Sequence, residues 1–532
     1  MYTKRDEMTS KKNDDRRREK KTFVIFPNHL FDFDAAAVEK TLKAYDRVLV
    51  IEEPLYFEGG INKVRLAHAR ACMTYYYDRI SGLAGHRPPC EYVERRSVAR
   101  RMATLREAWS YDPSDAEVVA KFERVYKVTL RILPENPMFL ASISTLERFH
   151  LRAVPGRRTN HAEFYRFMRS DVLGPDALVE LPERSLDAEN RRPFPRVGDV
   201  PEKKERKKTS TYMAAAIAYV DADEDFRDNI GETRNAALFP CTHREAEREL
   251  DEFLERRLAR FGDYQDAIRS DRVVAYHSAI SASLNNGLLT PAYVLERTMR
   301  HYRRRAKGEE ETVALNNLEG FVRQVVGWRE YMRYLYAFHR QTLVSSPNRW
   351  NADRGIAWER WIAGTTGIRA LDSEIKKCVR FAYSHHIVRL MVFLNLFVLC
   401  GVHPECVVRW FTRVCAIDAY RWVMVPNVYA MGGYAGTFMS KQPYVSTDAY
   451  VARMSDYGAD RTGAWKALFY AFLVRNKARL TGASSVYMRN LAYFERLPED
   501  ERREHAKKAD AFVRRCTTDS YYSARCKICP QI

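Results

Sequence analysis

The sequence predicts an N-terminal α/β domain with a Rossmann-like, mainly parallel sheet, joined by a long linker to a large all-α domain. Three observations carry this expectation. Short β-branched apolar runs alternate with helical patterns over the first 150 residues, as in successive strand–helix–strand units. Residues 151–212 are rich in Pro, Arg and Glu, which is connector material. From 213 to 515 apolar residues recur at helical spacing between Gly and Pro breaks. A chain of 532 residues holds two to four domains of ordinary size.

In chain order, residues 1–21 are almost wholly polar and charged, and read as a disordered basic arm. The α/β part, 22–150, opens with Phe23-Val-Ile-Phe26 and Val48-Leu-Val-Ile51, both of strand length. A helix follows over 63–83, with Val64, Leu66, Ala71, Tyr75 and Ile80, and Val125–Leu133 is a further strand candidate. No G-x-G-x-x-G follows the first strand, so a dinucleotide fingerprint is absent. The linker, 151–212, holds one helix near 161–169 and ends in the charge run Glu202–Lys208. In the all-α part, 213–515, the segment 244–261 carries Ala246, Leu250, Phe253, Leu254, Leu258 and Phe261 on one helical face. Further helices are expected near 291–305, 313–342, 373–400, 404–423 and 464–479, before a C-terminal tail, 516–532.

Composition excludes several classes. With 46% apolar and 12% aromatic residues, the chain is neither disordered throughout nor collagen-like. The longest apolar run, Leu390–Val402, is 13 residues and interrupted by Asn395, too short to span a bilayer. The charged N-terminus has no apolar core of a secretory signal, so a soluble intracellular protein is expected, cytoplasm and nucleus unresolved. Ten cysteines are ordinary usage: Cys400, Cys406 and Cys415 lie in apolar surroundings, and Cys526-x-x-Cys529 is a lone pair on the tail. No metal site is expected. Lys and Arg outnumber Asp and Glu by 88 − 69 = 19, which favours a polyanionic partner, nucleic acid ahead of membrane.

Four stretches of the helical part stand out from amphipathic filler. In His277-Ser-Ala-Ile-Ser281-Ala-Ser-Leu-Asn285-Asn-Gly287, preceded by Tyr264-Gln-Asp266, small hydroxyl residues at a helix start can present Oγ and N–H groups to a phosphate. A plain helix cap before a core face fits them too. In Glu319-Gly-Phe-Val-Arg323-Gln-Val-Val-Gly-Trp328-Arg329-Glu330, an aromatic with arginines can stack on a ring and pair an anion, or simply ion-pair on a packed helix. The adjacent His385 and His386, followed by Arg389, project about 100° apart on a helix and lack the i,i+4 spacing of a zinc helix. One can serve as proton donor and the other as its structural partner. The fourth stretch, Asp418-Ala-Tyr-Arg-Trp422-Val-Met-Val-Pro426-Asn427, runs into Met431, Gly432-Gly433 and Lys441-Gln-Pro-Tyr444, a loop able to hydrogen-bond a heteroaromatic ligand.

In this order the four blocks resemble the photolyase/cryptochrome superfamily, specifically the branch of prokaryotic (6-4) photolyases and iron–sulfur bacterial cryptochromes. Glu163-Phe-Tyr-Arg-Phe-Met168-Arg and Asp187-Ala-Glu-Asn190-Arg191-x-Pro193 resemble the same branch, and the likeness runs from about 161 to 515 and more loosely over 23–150. The resemblance implies FAD in the helical domain, with cofactor-binding positions falling on Tyr264, His277, Ser278, Ser281, Glu319, Arg323, Trp328, Arg329, Asp418 and Asn427. It implies proton donation at His386 supported by His385 and Arg389, electron transfer through Trp410 and Trp361, and a lesion pocket at Met431 and Tyr444. The partner it implies is UV-damaged DNA, bound by a monomer, with the damaged bases flipped out of the stack.

The chain also departs from that branch. The first of its four cluster cysteines falls on Ala370, Cys378 is too far along its helix to substitute, and Gly458-Ala-Asp-Arg-Thr-Gly-Ala464 after Tyr457 has no cysteine. No iron–sulfur cluster is therefore expected. A Trp-Tyr pair of the branch reads Trp410-Phe411, and Trp361 stands beside Ile362 where the branch has tryptophan. The Gly-Asp-Gln-Leu after the first strand reads Pro27-Asn28-His29-Leu30, which leaves the antenna chromophore uncertain. The expected function is an FAD-dependent (6-4) photolyase, a lyase for light-driven DNA repair; the alternatives are a cryptochrome-type photoreceptor or a cyclobutane pyrimidine dimer photolyase.

Overall fold

A computed structural model describes residues 20–32, 40–82, 89–152, 160–195, 200–203, 209–306, 308, 312–436, 438–439, 443–480 and 485–521. Residues 1–19 of the expected arm, most of the charge run after Glu202, Lys441, Cys526 and Cys529 lie outside the described residues.

The N-terminal part is built on five parallel strands, β1 (Thr22–Ile25), β2 (Arg47–Ile51), β3 (Cys90–Val93), β4 (Glu107–Ser110) and β5 (Thr129–Ile132), in the order β3-β2-β1-β4-β5. This is the doubly wound order, reversing direction at β1. Phe23, Val24 and Ile25 of β1 and Val48 to Ile51 of β2 are fully buried because a parallel sheet is covered on both faces. β3 and β4 escape a reading by β-branched apolar runs, since Cys-Glu-Tyr-Val and Glu-Ala-Trp-Ser contain one β-branched residue between them and each carries a glutamate. β5 is shorter than expected: Val125 is 64% exposed in the helical turn Phe122–Tyr126, and the strand starts at Thr129.

At the end of β1 the chain turns inward. His29 is fully buried among Phe26, Phe31 and Tyr111, its Nε2 3.1 Å from the Asp112 carbonyl, and burial pulls its pKa down to about 3. These rings fill the crevice at the β1/β4 switch point, where open α/β sheets take ligands.

The helical part begins with Thr211–Ala222, packed on the helix Lys63–Gly82, and runs to Cys516. Three expected helices are interrupted. The segment 244–261 is helical only over His243–Arg256, started by Thr242, whose side chain accepts from the Glu245 amide at 3.2 Å. The expected helix 404–423 divides into Pro404–Arg413 and Arg421–Pro426. Between them Arg65 donates to the carbonyls of Ala416 and Ala419 at 2.9 Å each, and Asn62 to that of Val414 at 3.3 Å, so side chains of the α/β part take acceptors that a helix would use.

The expected helix 373–400 breaks at the histidine pair. Arg369–Phe381 ends at Ala382, whose φ is 50°, and His385 is extended before a new turn begins at His386. The Ala382 carbonyl accepts from the Ile417 amide at 3.0 Å and that of Ser384 from Arg389 Nε at 2.7 Å. Tertiary hydrogen bonds replace the helical ladder, and the two histidines do not share one helix face. Among the described residues no helix is long and apolar enough to cross a membrane.

Candidate functional site

The helices between 261 and 423 surround a cleft whose empty space, open mouth included, is about 1070 Å³. One wall comes from His277 to Asn285, a second from Phe321 to Met332, a third from Tyr383 to Arg389, and the floor from Asp418, Trp422 and Val423.

The first wall is a sharp turn before a short helix. Ala275 and Ala279 take φ of 50° and 59°, bending the chain so that Ser278 and Ser281 both line the cleft. The helix Ser281–Asn286 ends at Gly287 with φ 92°, where a Cβ would lie 2.9 Å from the Leu30 amide nitrogen. Only glycine fits there. The Leu30 amide donates to the Asn286 carbonyl at 2.9 Å, which anchors this wall to the loop after β1.

On the third wall, Arg389 joins the floor. Its Nη2 donates to Asp418 Oδ1 at 2.7 Å, with the side chains only 15% and 8% exposed. Burial works against the Arg389 charge, but Asp418, Cys415 and Tyr383 together offset it and the pKa is raised. Asn285 Nδ2 donates to the Asp418 carbonyl at 2.8 Å, so floor and first wall are fixed to each other.

His385 stacks on His277, ring centres 4.2 Å apart and planes 17° from parallel. Both ring nitrogens of His277 face backbone carbonyls, Gln265 at 2.9 Å and Val274 at 3.1 Å, and burial lowers its pKa to about 4. Burial, then His277, holds His385 well below the ordinary imidazole value, and its buried Nδ1 has no hydrogen-bond partner. His386 is different. Its side chain is 53% exposed at the mouth, with Nε2 3.9 Å from Asp266 Oδ1. Partial desolvation lowers its pKa, Asp266 opposes that, and Arg389 and Arg191 add to the lowering. Asp266 itself accepts from Tyr450 Oη at 2.6 Å and lies 3.5 Å from Arg191 Nε.

The second wall carries Trp328 and Arg329. Arg329 donates to Met138 O at 2.6 Å and Asn285 Oδ1 at 3.2 Å and lies over the Trp422 ring at 5.2 Å; burial brings its pKa down to about 10. Glu330 behind it accepts the amides of Leu140 and Ala141 at 3.0 and 3.4 Å, and burial raises its pKa to about 7 against the pull of Arg329.

Of the positions marked in the sequence, His277, Ser278, Ser281, Trp328, Arg329, His385, His386, Arg389 and Asp418 meet in this one cleft. The rest stand outside its walls. Glu319 and Arg323 pair one turn behind it, with Arg323 over the Tyr165 ring at 4.3 Å. Tyr264 packs on Phe194 and Tyr276. Asn427 Nδ2 donates to its own helix at Val423 O, 2.8 Å. Met431 is buried, and Tyr444 is 43% exposed. Trp361 and Trp410 sit 5.4 Å apart in a buried aromatic cluster with Phe397 and Trp358, which the sequence reading did not single out. Asp266 was visible only as a neighbour of Gln265, and no spacing marks Tyr450 or Arg191 as its partners. Among the described residues no group of three or more His, Cys, Asp or Glu side chains is placed to hold a metal ion.

The residues present fit a large planar polar ligand. Trp422 Nε1, His385 Nδ1 and Arg329 Nε are buried atoms of cleft-lining residues without a protein partner. Buried polar groups ordinarily find one.

Comparisons with known proteins bear on family and fold. The family described as "Deoxyribodipyrimidine photo-lyase-related protein" matches residues 23–238. A (6-4) photolyase of Agrobacterium fabrum is 36% identical over 302 residues, 54% of this chain and 57% of that protein, so the match spans little more than half of that relative. An uncharacterized protein, R853, of Acanthamoeba polyphaga mimivirus is 36% identical over 121 residues, covering 23% of this chain and 87% of that one. Among solved structures, a cryptochrome of Synechocystis sp. PCC6803 superposes with a TM-score of 0.52 at 13% identity, covering 93% of this chain and 98% of the other. A bacterial class III photolyase from Agrobacterium tumefaciens gives 0.49 at 16% identity, covering 94% and 98%.

Proposed function

We propose that the chain belongs to the photolyase/cryptochrome superfamily and is an FAD-dependent (6-4) photolyase acting as a monomer on UV-damaged DNA. In this reading 22–150 is an antenna-type domain, 151–212 the linker and 213–515 the catalytic domain. The observation that carries the proposal is the convergence of a half-exposed histidine, His386, with a buried Asp418–Arg389 pair in one cleft with orphaned polar atoms. Bound FAD in its reduced, photoexcited form supplies an electron donor at that cleft.

This chain's residues do the rest. Ser278 and Ser281 bind the diphosphate on the turn they occupy. Asp418, held by Arg389, accepts hydrogen bonds from the heteroaromatic ring. Trp328, Arg329 and Trp422 close one wall of the cleft. His386 is placed to donate a proton from Nε2 where a flipped-out lesion meets the mouth, and Asp266 partly offsets the desolvation that disfavours its protonated form. His385, kept neutral by burial and by stacking on His277, positions its neighbour rather than donating. Exposed lysines and arginines contact phosphates and make binding salt-dependent.

The test is a visible spectrum of the purified protein, followed by blue-light repair of oligonucleotides carrying a (6-4) photoproduct or a cyclobutane dimer. Repair of the (6-4) lesion alone is expected. Repair of the dimer alone, or flavin with no repair of either, would replace this reading with one of its two alternatives.

A further inference from the structure

The cleft floor is a wall one segment thick. Asp418, Trp422 and Val423 face the cleft, whereas Ala419, Tyr420 and Arg421 face a second cavity, of about 640 Å³ with its mouth, between the α/β and helical parts. In that cavity the charges answer one another: Arg421 pairs with Glu117 and Glu405, Arg413 with Glu58, and Arg65 with backbone carbonyls. It therefore offers little to a ligand. One of its groups does reach the other side. Asp115, after β4, is 4% exposed and accepts from the Trp422 amide at 2.8 Å through Oδ1 and from Tyr56 Oη at 3.3 Å through Oδ2.

The Trp422 amide is one of the free donors in the first turn of Arg421–Pro426, and the helix's own N-cap residue, Tyr420, makes no side-chain cap bond. Asp115 supplies that cap from the other domain. The next residue, Ala116, donates its amide to Tyr336 Oη at 3.2 Å, so the loop carrying Asp115 is tied to the helical part at two points.

We propose that Asp115 is a positioning residue for the cofactor cleft: by capping Arg421–Pro426 across the domain boundary it fixes Trp422 and Asp418 in the floor. This rests on the reading of the cleft as the FAD site, and on an acceptor at Oδ1 rather than on the charge. Asp115→Asn keeps an acceptor there and Asp115→Ala does not. Burial, then Glu117, raises the Asp115 pKa to about 6, against the Trp422 amide, Arg421 and Arg65, and a protonated carboxyl keeps its carbonyl acceptor too.

The full-length protein and both variants are compared by amide hydrogen exchange and by FAD titration. Asp115→Ala should speed exchange over 418–426 about tenfold, the scale of a lost helix cap, and weaken FAD affinity by a similar factor. Peptides from β1, β2 and Glu499–Cys516 should exchange as in wild type, and Asp115→Asn should restore both readouts. Unchanged exchange over 418–426, acceleration spread over the whole chain, or no rescue by Asn would each overturn the proposal. Should wild type take up no FAD, the cofactor reading fails by itself, while the local exchange pattern still decides whether Asp115 holds the floor.

Discussion

Replacing Arg389 by Met keeps most of the side-chain volume and removes the cation that Asp418 faces. In the native protein the guanidinium makes two charge-assisted bonds, to Asp418 Oδ1 and to the Ser384 carbonyl, each at 2.7 Å. With the partners 15% and 8% exposed, solvent screens the pair weakly. Removing one member of such a pair strands the other as an uncompensated charge, at about 3–5 kcal/mol. The Ser384 carbonyl also loses a donor, worth about 1–3 kcal/mol where water cannot enter. Because the cleft admits water, about 4 kcal/mol for Arg389→Met is expected, near the pair term alone. The assay is urea denaturation followed by tryptophan fluorescence, on Arg389→Met, Asp418→Asn and the double variant. Most of the loss should return in the double variant, giving a coupling of at least about 2 kcal/mol. A coupling below about 0.5 kcal/mol, within ordinary additivity error, would refute the claim that the two groups hold each other in the floor.

Three further outcomes follow from the site. His386→Ala should retain FAD and lesion binding while losing (6-4) repair by about 10²-fold, the contribution of a positioned general acid. Because the cleft lowers the His386 pKa from the usual ~6.5, its donor form grows as pH falls, so wild-type repair per bound FAD should rise on acidification and the variant's should not. The purified protein should be yellow, with one FAD per chain and no iron by elemental analysis; four iron atoms per chain would contradict the reading of Ala370 and the 458–464 loop. Glu330, raised to about 7 by burial, binds its proton more tightly folded than unfolded. Its contribution to stability is thus fully present below about 4.5 and is lost as pH rises to about 7. Glu330→Gln, which keeps an acceptor for Leu140, should flatten that slope in denaturation measured at pH 5 and 7.

Much of the architecture was legible in the sequence. The runs at Phe23 and Val48 could bury so completely only as central strands, and the periodic segments at 244–256, 291–305 and 464–475 could hide their apolar faces only as packed helices. Residue type and order also picked out nine positions that meet in one cleft. What the sequence could not decide was where those helices stop. A periodic pattern continues through 382–385 and through 414–420, yet both stretches are open: the Ile417 amide and Arg389 take the carbonyls of Ala382 and Ser384 in the first, and Asn62 and Arg65, more than 300 residues distant in the chain, take those of Val414 and Ala416 in the second. That competition is tertiary. It turns His385 inward onto His277, leaves His386 at the mouth, and lets Asp115 of the sheet domain cap the helix beneath the cleft. Helical propensity is a matter of a few tenths of a kcal/mol per residue, whereas a buried hydrogen bond to a charged group is worth about 1.5–3 kcal/mol. The sequence by itself therefore determined which faces are apolar and which residues carry chemistry, and the assembled structure decided where the chain bends to bring them together.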